Sequence, residues 1–432
     1  MRCSIFRDKT KMRKVLFLTY YWPPSGKASL HFPLQLIKYL SEFGWQSTVA
    51  TVAEDTFSQK DYSLLAEIPA NITVHKIKTF EPFNLYRKFT GKKASDPLVA
   101  SETISRENNN LSHRISIWIR MNLFIPDARI GWYPFAVQFL KKLLKHEKFD
   151  AIITVGPPHS THLVGLRLSK LFHLPHIPIF IDPWVDIIYY KDFRRSAITV
   201  GLDKYFESEV LRNASHLIFV TKSTRSDFVE KYPFALNKST VLYWGYNEDN
   251  FSVIPEKDKT FEDKILLHAG NIFDYQNPKK LWQYLKGKIA AGEKIKLQFV
   301  GTVSPGIRES IIKNGLEKVT EFFGFLPYQE VINKLCAADY LLVCTTEKRH
   351  VPGKLFEYLR SQVPILCFSE ENPEVEELIT TSNSGKFLSY QNSGEEFFKN
   401  MHTFATDLSF AKGFDRKKAA SKLAEILNGI CA

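Results

Sequence analysis

Short apolar runs alternate with stretches of helical periodicity along almost the whole of this chain, and that alternation constrains its fold more than any other feature. Lys14–Thr19 is an apolar run closed by the turn-rich Trp22-Pro-Pro-Ser-Gly26, as expected of a buried parallel strand feeding a loop. Leu30, Leu34, Ile37, Leu40 and Phe43 then recur at helical spacing up to Gly44, and Gln46–Thr51 resumes strand character, which makes a βαβ unit. The pattern returns in Asp150–Val155, His159–Phe172 and Ile177–Ile181, and again in His216–Val220, Ser223–Lys231 and Ser239–Tyr243. A second series starts at Lys264–His268 and continues with Lys296–Val300, Val319–Phe323, Tyr340–Cys344 and Pro364–Phe368. Strands separated by helices build parallel sheets covered on both faces. The fold class is therefore α/β, with two Rossmann-like, doubly wound domains, and 432 residues leave room for both, since a domain takes roughly 100–200. They are expected over 1–250 and 264–410, joined by the polar, aperiodic segment 251–263. From about Thr79 to Arg129 the pattern weakens into aromatic, basic and Asn-rich sequence, read as an insertion over one end of the first domain. Open α/β sheets bind ligands beyond the carboxyl ends of their strands, so two such domains facing each other are expected to make a central cleft.

Composition narrows the function classes. The 58 Lys and Arg exceed the 46 Asp and Glu, a net charge of +12, which favours polyanions or anionic lipid. Nucleic acid is set aside: there is no zinc finger, no aromatic-rich RNA-binding signature and no long basic run. The five cysteines, Cys3, Cys336, Cys344, Cys367 and Cys431, are scattered without a Cys-x-x-Cys pair, so they argue against zinc or redox chemistry. No apolar run reaches the roughly 18 residues of a spanning helix. Met1–Lys14 is charged and lacks the apolar core of a secretory signal, so the chain is expected to be cytoplasmic. The stretch Phe80–Lys93, with Tyr86, Arg87, Lys88, Phe89, Lys92 and Lys93, reads either as a solvated loop or as a peripheral contact with the inner face of an anionic membrane.

Four segments together carry a resemblance: Tyr20-Tyr-Trp-Pro-Pro-Ser-Gly26, Gly156-Pro-Pro-His-Ser160, Asp182-Pro-Trp184 and Pro352-Gly-Lys-Leu-Phe-Glu-Tyr358. In this order, and with Trp244–Phe251 leading into the linker, the chain from about Lys14 to Lys386 resembles the family 4 glycosyltransferases of GT-B fold, in particular the bacterial surface-polysaccharide branch. The resemblance implies transfer of a sugar from a nucleoside-diphosphate sugar to a lipid-linked or oligosaccharide acceptor, usually with retention and without a metal or other cofactor. The absence of any Asp-x-Asp agrees, because the protein itself must then offset the diphosphate charge. A C-terminal helix over 411–432 is expected to pack back on the first domain. A nucleotide-sugar epimerase of the same architecture, or a non-catalytic relative, remains compatible with these motifs.

Site residues follow from both arguments. Pro352-Gly353-Lys354 reads as a helix start where Gly353 lets a ligand approach the backbone and Lys354 adds a point charge; the resemblance gives Glu357 the donor ribose. Asp182, just past a strand and followed by Pro183, is the catalytic candidate, placed to orient a hydroxyl or stabilise charge at the anomeric carbon. His159, near a helix start, is a second catalytic or phosphate-contacting candidate, and His162 reads as a locally satisfied helix residue. Ser25, Gly26 and Lys27 form a loop whose exposed amides suit phosphate or acceptor. Gly324 and Phe325 match the place where relatives read the base. Two departures stand out. The loop Gly270-Asn271 has no basic residue until Lys279 and Lys280, where relatives carry a diphosphate clamp, and Arg349 stands where relatives have the first Glu of Glu-x7-Glu. Arg349 is therefore a further candidate for phosphate.

Overall fold

The structure, a computed structural model, describes residues 12–57, 59–80, 111–187, 193–252 and 263–432. The stretch Phe80–Lys93 lies outside the described residues beyond Phe80, as does most of the segment read as a linker. Two compact units emerge: Met1–Val220 with Thr224–Leu242 and Ala420–Ala432, and Tyr243–Ala419 with Thr221–Ser223. Residues 243–250, counted with the first domain on sequence, thus group with the second, as do 251 and 252 of the segment read as a linker. Of the C-terminal segment only 420–432 joins the first unit, where Asn428 Oδ1 accepts the Trp45 indole N–H at 3.1 Å.

The first unit is built on a seven-stranded parallel sheet of β1 (Arg13–Thr19), β2 (Trp45–Val52), β3 (Thr73–Ile77), β4 (Ala151–Gly156), β5 (His176–Phe180), β6 (Leu217–Phe219) and β7 (Ser239–Val241). Its order is β3-β2-β1-β4-β5-β6-β7. The second carries β8 (Lys264–Ala269), β9 (Ile295–Val300), β10 (Thr320–Gly324), β11 (Tyr340–Cys344), β12 (Ile365–Phe368) and β13 (Gly385–Leu388), ordered β10-β9-β8-β11-β12-β13. Both are doubly wound sheets whose chain order reverses once, beside β1 and beside β8. Alternation along a strand sends successive side chains to opposite faces. Leu341 and Val343 of β11 and Ile365 and Cys367 of β12 therefore join one core with Leu355 and Leu359. Tyr340, Leu342, Leu366 and Phe368 join the other with Trp282 and Leu285. Helices cover both faces, as continuous apolar strands require. Strands β3 and β13 have no counterpart in the sequence pattern. Both are edge strands, and their half-exposed residues lack the apolar run that marks a central strand.

The helix Ser160–Phe172 follows β4 and lies close on the sheet. A β-carbon on Gly165 would stand 2.4 Å from Thr154 Cγ2 and 2.5 Å from His176 Nε2. Replacing a helical Gly by Ala ordinarily gains about 0.5–1 kcal/mol, whereas an overpacked core loses about 1–3 kcal/mol. Contacts this short let the clash outweigh the gain. Gly165→Ala is therefore expected to lower the urea midpoint; an unchanged or raised midpoint would show that the helix can lift off the sheet without cost.

Candidate active site

In the second unit the loops after β8 and β11 leave the same sheet edge at the reversal of strand order, where open α/β sheets take ligands. The loop after β11 ends in the helix Lys354–Ser361. Lys354 reaches across to the loop after β8: its Nζ donates to His268 Nε2 at 3.0 Å. His268 Nδ1 lies 3.0 Å from the Leu342 carbonyl. A carbonyl only accepts, so Nδ1 carries the ring proton and Nε2 presents its lone pair to the ammonium. Burial and the Lys354 charge hold His268 neutral, well below its ordinary range. Burial in turn lowers Lys354 to about 8.

Gly270, at φ +103°, adopts the left-handed backbone that favours glycine, and a β-carbon there would sit 3.3 Å from Lys354 Nζ. The loop after β8 thus gets its cation from the next crossover. The basic pair missing after Gly270 is replaced in space by Lys354, while Lys279 and Lys280 lie exposed on the following helix. Asn271 is tied to the loop after β9, its Oδ1 accepting Thr302 N–H at 3.2 Å. Gly324, at φ +66°, ends β10 on the same edge, and the adjoining Phe325 is 85% exposed.

Glu357, one turn into the helix, is buried. Its Oε1 accepts the Tyr328 hydroxyl at 2.5 Å and lies 3.9 Å from the Arg416 guanidinium. Burial raises its pKa against the pull of Arg416. Among the described residues Oε2 has no hydrogen-bond partner, so one oxygen is anchored and the other is not. Arg416 is fixed by donation from Nε to the Trp244 carbonyl at 3.2 Å.

Two candidates gain neighbours here. Gly353 is expected on sequence to let a ligand approach the backbone, and its α-carbon also faces Trp244: a β-carbon would meet the indole at 2.9 Å. The glycine is required by that packing. Arg349 is expected to meet phosphate, and the structure instead pairs its Nε with Glu347 Oε1 at 3.3 Å.

In the first unit Asp182 follows β5, beside the loop after β4 through the bond from Ile181 N–H to the Gly156 carbonyl at 2.9 Å. No described residue donates a hydrogen bond to its carboxylate, and burial alone raises it to about 6. The turn that carries it is held from both sides. His159 stacks on Trp184 with ring centroids 5.0 Å apart, and its Nε2 donates to the Pro183 carbonyl at 3.1 Å. The Trp184 indole N–H donates to Asp203 at 2.6 Å.

His159 does not meet the expectation of a phosphate contact at an open helix start. Burial lowers it to about 3, so it is neutral, and the helix start beside it is already filled: Asp127 accepts Ser160 N–H at 2.7 Å and its hydroxyl at 3.0 Å. Nor are the amides of the first loop open. Ser25 N–H donates to the Trp22 carbonyl at 2.9 Å and Gly26 N–H to the Gln59 carbonyl at 3.0 Å; Lys27 follows them. His162 is buried, its Nδ1 paired with the Thr154 hydroxyl at 2.7 Å and its Nε2 without a partner among the described residues, so it is satisfied on one side only.

His268, Tyr328 and Arg416, and in the first unit Asp127 and Asp203, do not stand out in the sequence. Each acts through a contact tens of residues away, and none sits in a local pattern that would announce it. Among the described residues no three His, Cys, Asp or Glu side chains gather as metal ligands.

Residues 32–250, just over half of the 432, match the profile of Glycosyltransferase Family 4. The chain belongs to glycosyltransferase family 4. The GT-B fold of this glycosyltransferase is shared with HepE of Anabaena, solved with UDP and glucose, at a TM-score of 0.62 and 15% identity over 96% of this chain and 100% of that one. A glycosyltransferase from Rickettsia africae aligns at 0.64 and 15% identity over 98% and 99%. The lipopolysaccharide outer core galactosyltransferase WaaB aligns at 0.58 and 13% over 96% and 99%. No curated protein sequence matches significantly.

In the family 4 enzyme the partly buried Asp182 leaves a stability signature. Folding raises its pKa, so its contribution is present in full below about pH 4 and is lost as pH rises through about 6. Asp182→Asn should therefore stabilise the protein at pH 8 by about 2–3 kcal/mol relative to the parent, with the gain vanishing near pH 4. The neutral histidines oppose this trend below pH 6.5 in both proteins, so the difference isolates Asp182. Urea melts across that range giving parallel curves would contradict the burial assigned to it.

Proposed function

We propose that this glycosyltransferase moves a sugar from a uridine diphosphate sugar to a lipid-linked or oligosaccharide acceptor in surface-polysaccharide synthesis, with retention and without a metal ion. The observation that carries the donor side is the convergence of Lys354, Gly270 and the half-anchored Glu357 on one edge of the second sheet. A diphosphate beside Lys354 gains a desolvated ammonium, where a charge-assisted hydrogen bond is stronger than in water. Glu357 Oε2 is available to a ribose hydroxyl, and exposed Phe325 to the base. That HepE was solved with UDP-glucose supports a uridine donor, and WaaB, acting on lipopolysaccharide, supports a surface-glycan acceptor. Retention and metal independence rest on the family resemblance and on the lack of Asp-x-Asp.

On the acceptor side, Asp182 is the group for the reacting centre. A carboxylate without internal donors keeps its full capacity to accept from an incoming hydroxyl or to stabilise positive charge at the anomeric carbon. Held near pKa 6, it is largely ionised at neutral pH.

The two assignments separate experimentally. Glu357→Ala removes charge-assisted bonds worth about 1.5–3 kcal/mol each, so calorimetry should show UDP binding weakened tenfold or more. Asp182→Asn should leave UDP affinity unchanged and cut transfer by about two orders of magnitude. Parent-like UDP affinity in the first variant would sink the donor site, and parent-like turnover in the second the catalytic role.

Lys354 adds a pH test. Its charge is present below about 8 and lost above, so UDP affinity should fall as pH rises from 7 to 9.5, and Lys354→Arg should abolish the fall because a guanidinium keeps its charge there. Equal pH slopes in both proteins would show that the ammonium does not meet the diphosphate.

A further inference from the structure

The first turns of the helix Ala197–Asn213 are inverted. Soluble helices bury apolar residues and expose polar ones, yet here Thr199, Asp203 and Glu207 are buried and Ile198 (77%), Leu202 (43%) and Tyr205 (59%) are exposed, the apolar Val210 and Leu211 being buried only in the last turn. Residues 198, 202 and 205 lie at i, i+4 and i+7, a single outward stripe. The inward polar groups are satisfied. Asp203 takes the Trp184 indole and Arg195, and Glu207 takes Val185 N–H, Lys231 and the Tyr232 hydroxyl.

A second apolar face lies next to it. The helix Leu111–Leu123 exposes Trp118 (52%), Ile119 (38%) and Leu123 (64%). Asn122 fastens its end to the start of the inverted helix, accepting Ser196 N–H at 2.6 Å and donating to the Arg194 carbonyl at 3.3 Å. Six large apolar side chains on two joined helices exceed the scattered exposure normal on a water-facing surface.

We infer that these two helices form a docking surface for an anionic lipid bilayer. Charge selects lipid as the occupant. Across the two helices the acids are Asp203, Glu207 and Glu209, each paired with a cation, Arg195, Lys231 and Lys170 respectively, while Arg194 and Lys204 are exposed. Trp and Tyr are the side chains that settle at membrane interfaces, and a basic rim around an apolar face binds anionic headgroups. The surface differs from the Phe80–Lys93 stretch. It is joined to the catalytic turn, because Asp203, on the buried side of the inverted helix, holds Trp184 two residues from Asp182. The use of such a surface rests on the proposed lipid-linked acceptor.

The test is flotation of the full chain with phosphatidylcholine vesicles, with and without about 30 mol% phosphatidylglycerol. The parent should bind the anionic vesicles, bind the neutral ones at least tenfold more weakly, and lose binding as salt rises. The triple variant Ile198→Ser, Leu202→Ser, Tyr205→Ser should lose at least tenfold in vesicle affinity with unchanged circular dichroism and UDP calorimetry, and Ile198→Leu should bind like the parent. Parent binding undiminished in the folded triple variant overturns the proposal. So does a parent that ignores anionic vesicles, or a dimer in sedimentation velocity that the triple variant abolishes, which would make a second copy the occupant. Vesicle binding needs neither donor nor acceptor, so a failed transfer assay with intact flotation would count against the proposed acceptor and not against this surface.

Discussion

Parallel pairing is the constraint from which the rest follows. Every strand pair in both sheets is parallel, so each crossover must return over a face and each carboxyl end must open on one edge. Residues far apart in sequence are thereby delivered to the same rim. Lys354 comes from the loop after β11 and Gly270 from the loop after β8, and they meet because those strands are neighbours at the reversal of order. In the first unit the loops after β4 and β5 are neighbours for the same reason, which sets His159 against Pro183 and Trp184.

Desolvation then sets the chemistry of what the rims hold. Burial disfavours whichever form is charged, and it moves Lys354 down, Asp182 and Glu357 up, and His159, His162, His176 and His268 down. The outcomes differ with the partner. The histidines are neutral and serve as packing and hydrogen-bonding walls. Glu357 has Tyr328 and Arg416 on one oxygen, so its position is fixed before any ligand arrives. Asp182 has no partner among the described residues, and a partly desolvated carboxylate without one is costly.

The architecture is legible because central strands are buried on both faces and read as apolar runs. Tyr340–Cys344 is located residue for residue, and Lys14–Thr19 to within one. β3, Thr-Val-His-Lys-Ile, and β13, Gly-Lys-Phe-Leu, escape detection because each mixes apolar with polar or glycine residues and forms no continuous apolar run. At the site, Lys354 and Glu357 stand out because they share one helix start with a recognisable motif. Gly353 shows what sequence leaves open: a glycine signals close approach but not by what, and one approaching group here is Trp244. The loop Ser25-Gly26 misleads likewise, since free and bonded amides look the same in sequence until Gln59 is placed beside them. Arg416, nearly sixty residues beyond Glu357, carries no local signal, because what recruits it is the turn Trp244-Gly245-Tyr246, whose backbone pairs with residues 414–416.

The inverted first turns of the helix Ala197–Asn213 show how a local violation of amphipathic patterning follows from the demands of the turn that carries Asp182. Asp182 must sit on a rigid support if its carboxylate is to meet a reacting centre without reorganising. Trp184 supplies that support by stacking on His159, but its indole N–H, buried with the ring, needs an acceptor. Asp203 provides it, and a buried aspartate requires a cation in turn, which Arg195 supplies. The next turn of the helix repeats the arrangement, Glu207 accepting Val185 N–H and pairing with Lys231. Over these turns the inward face is committed to holding residues 184 and 185 by polar bonds, so apolar burial falls to Val210 and Leu211 in the last turn, and Ile198, Leu202 and Tyr205 lie outward.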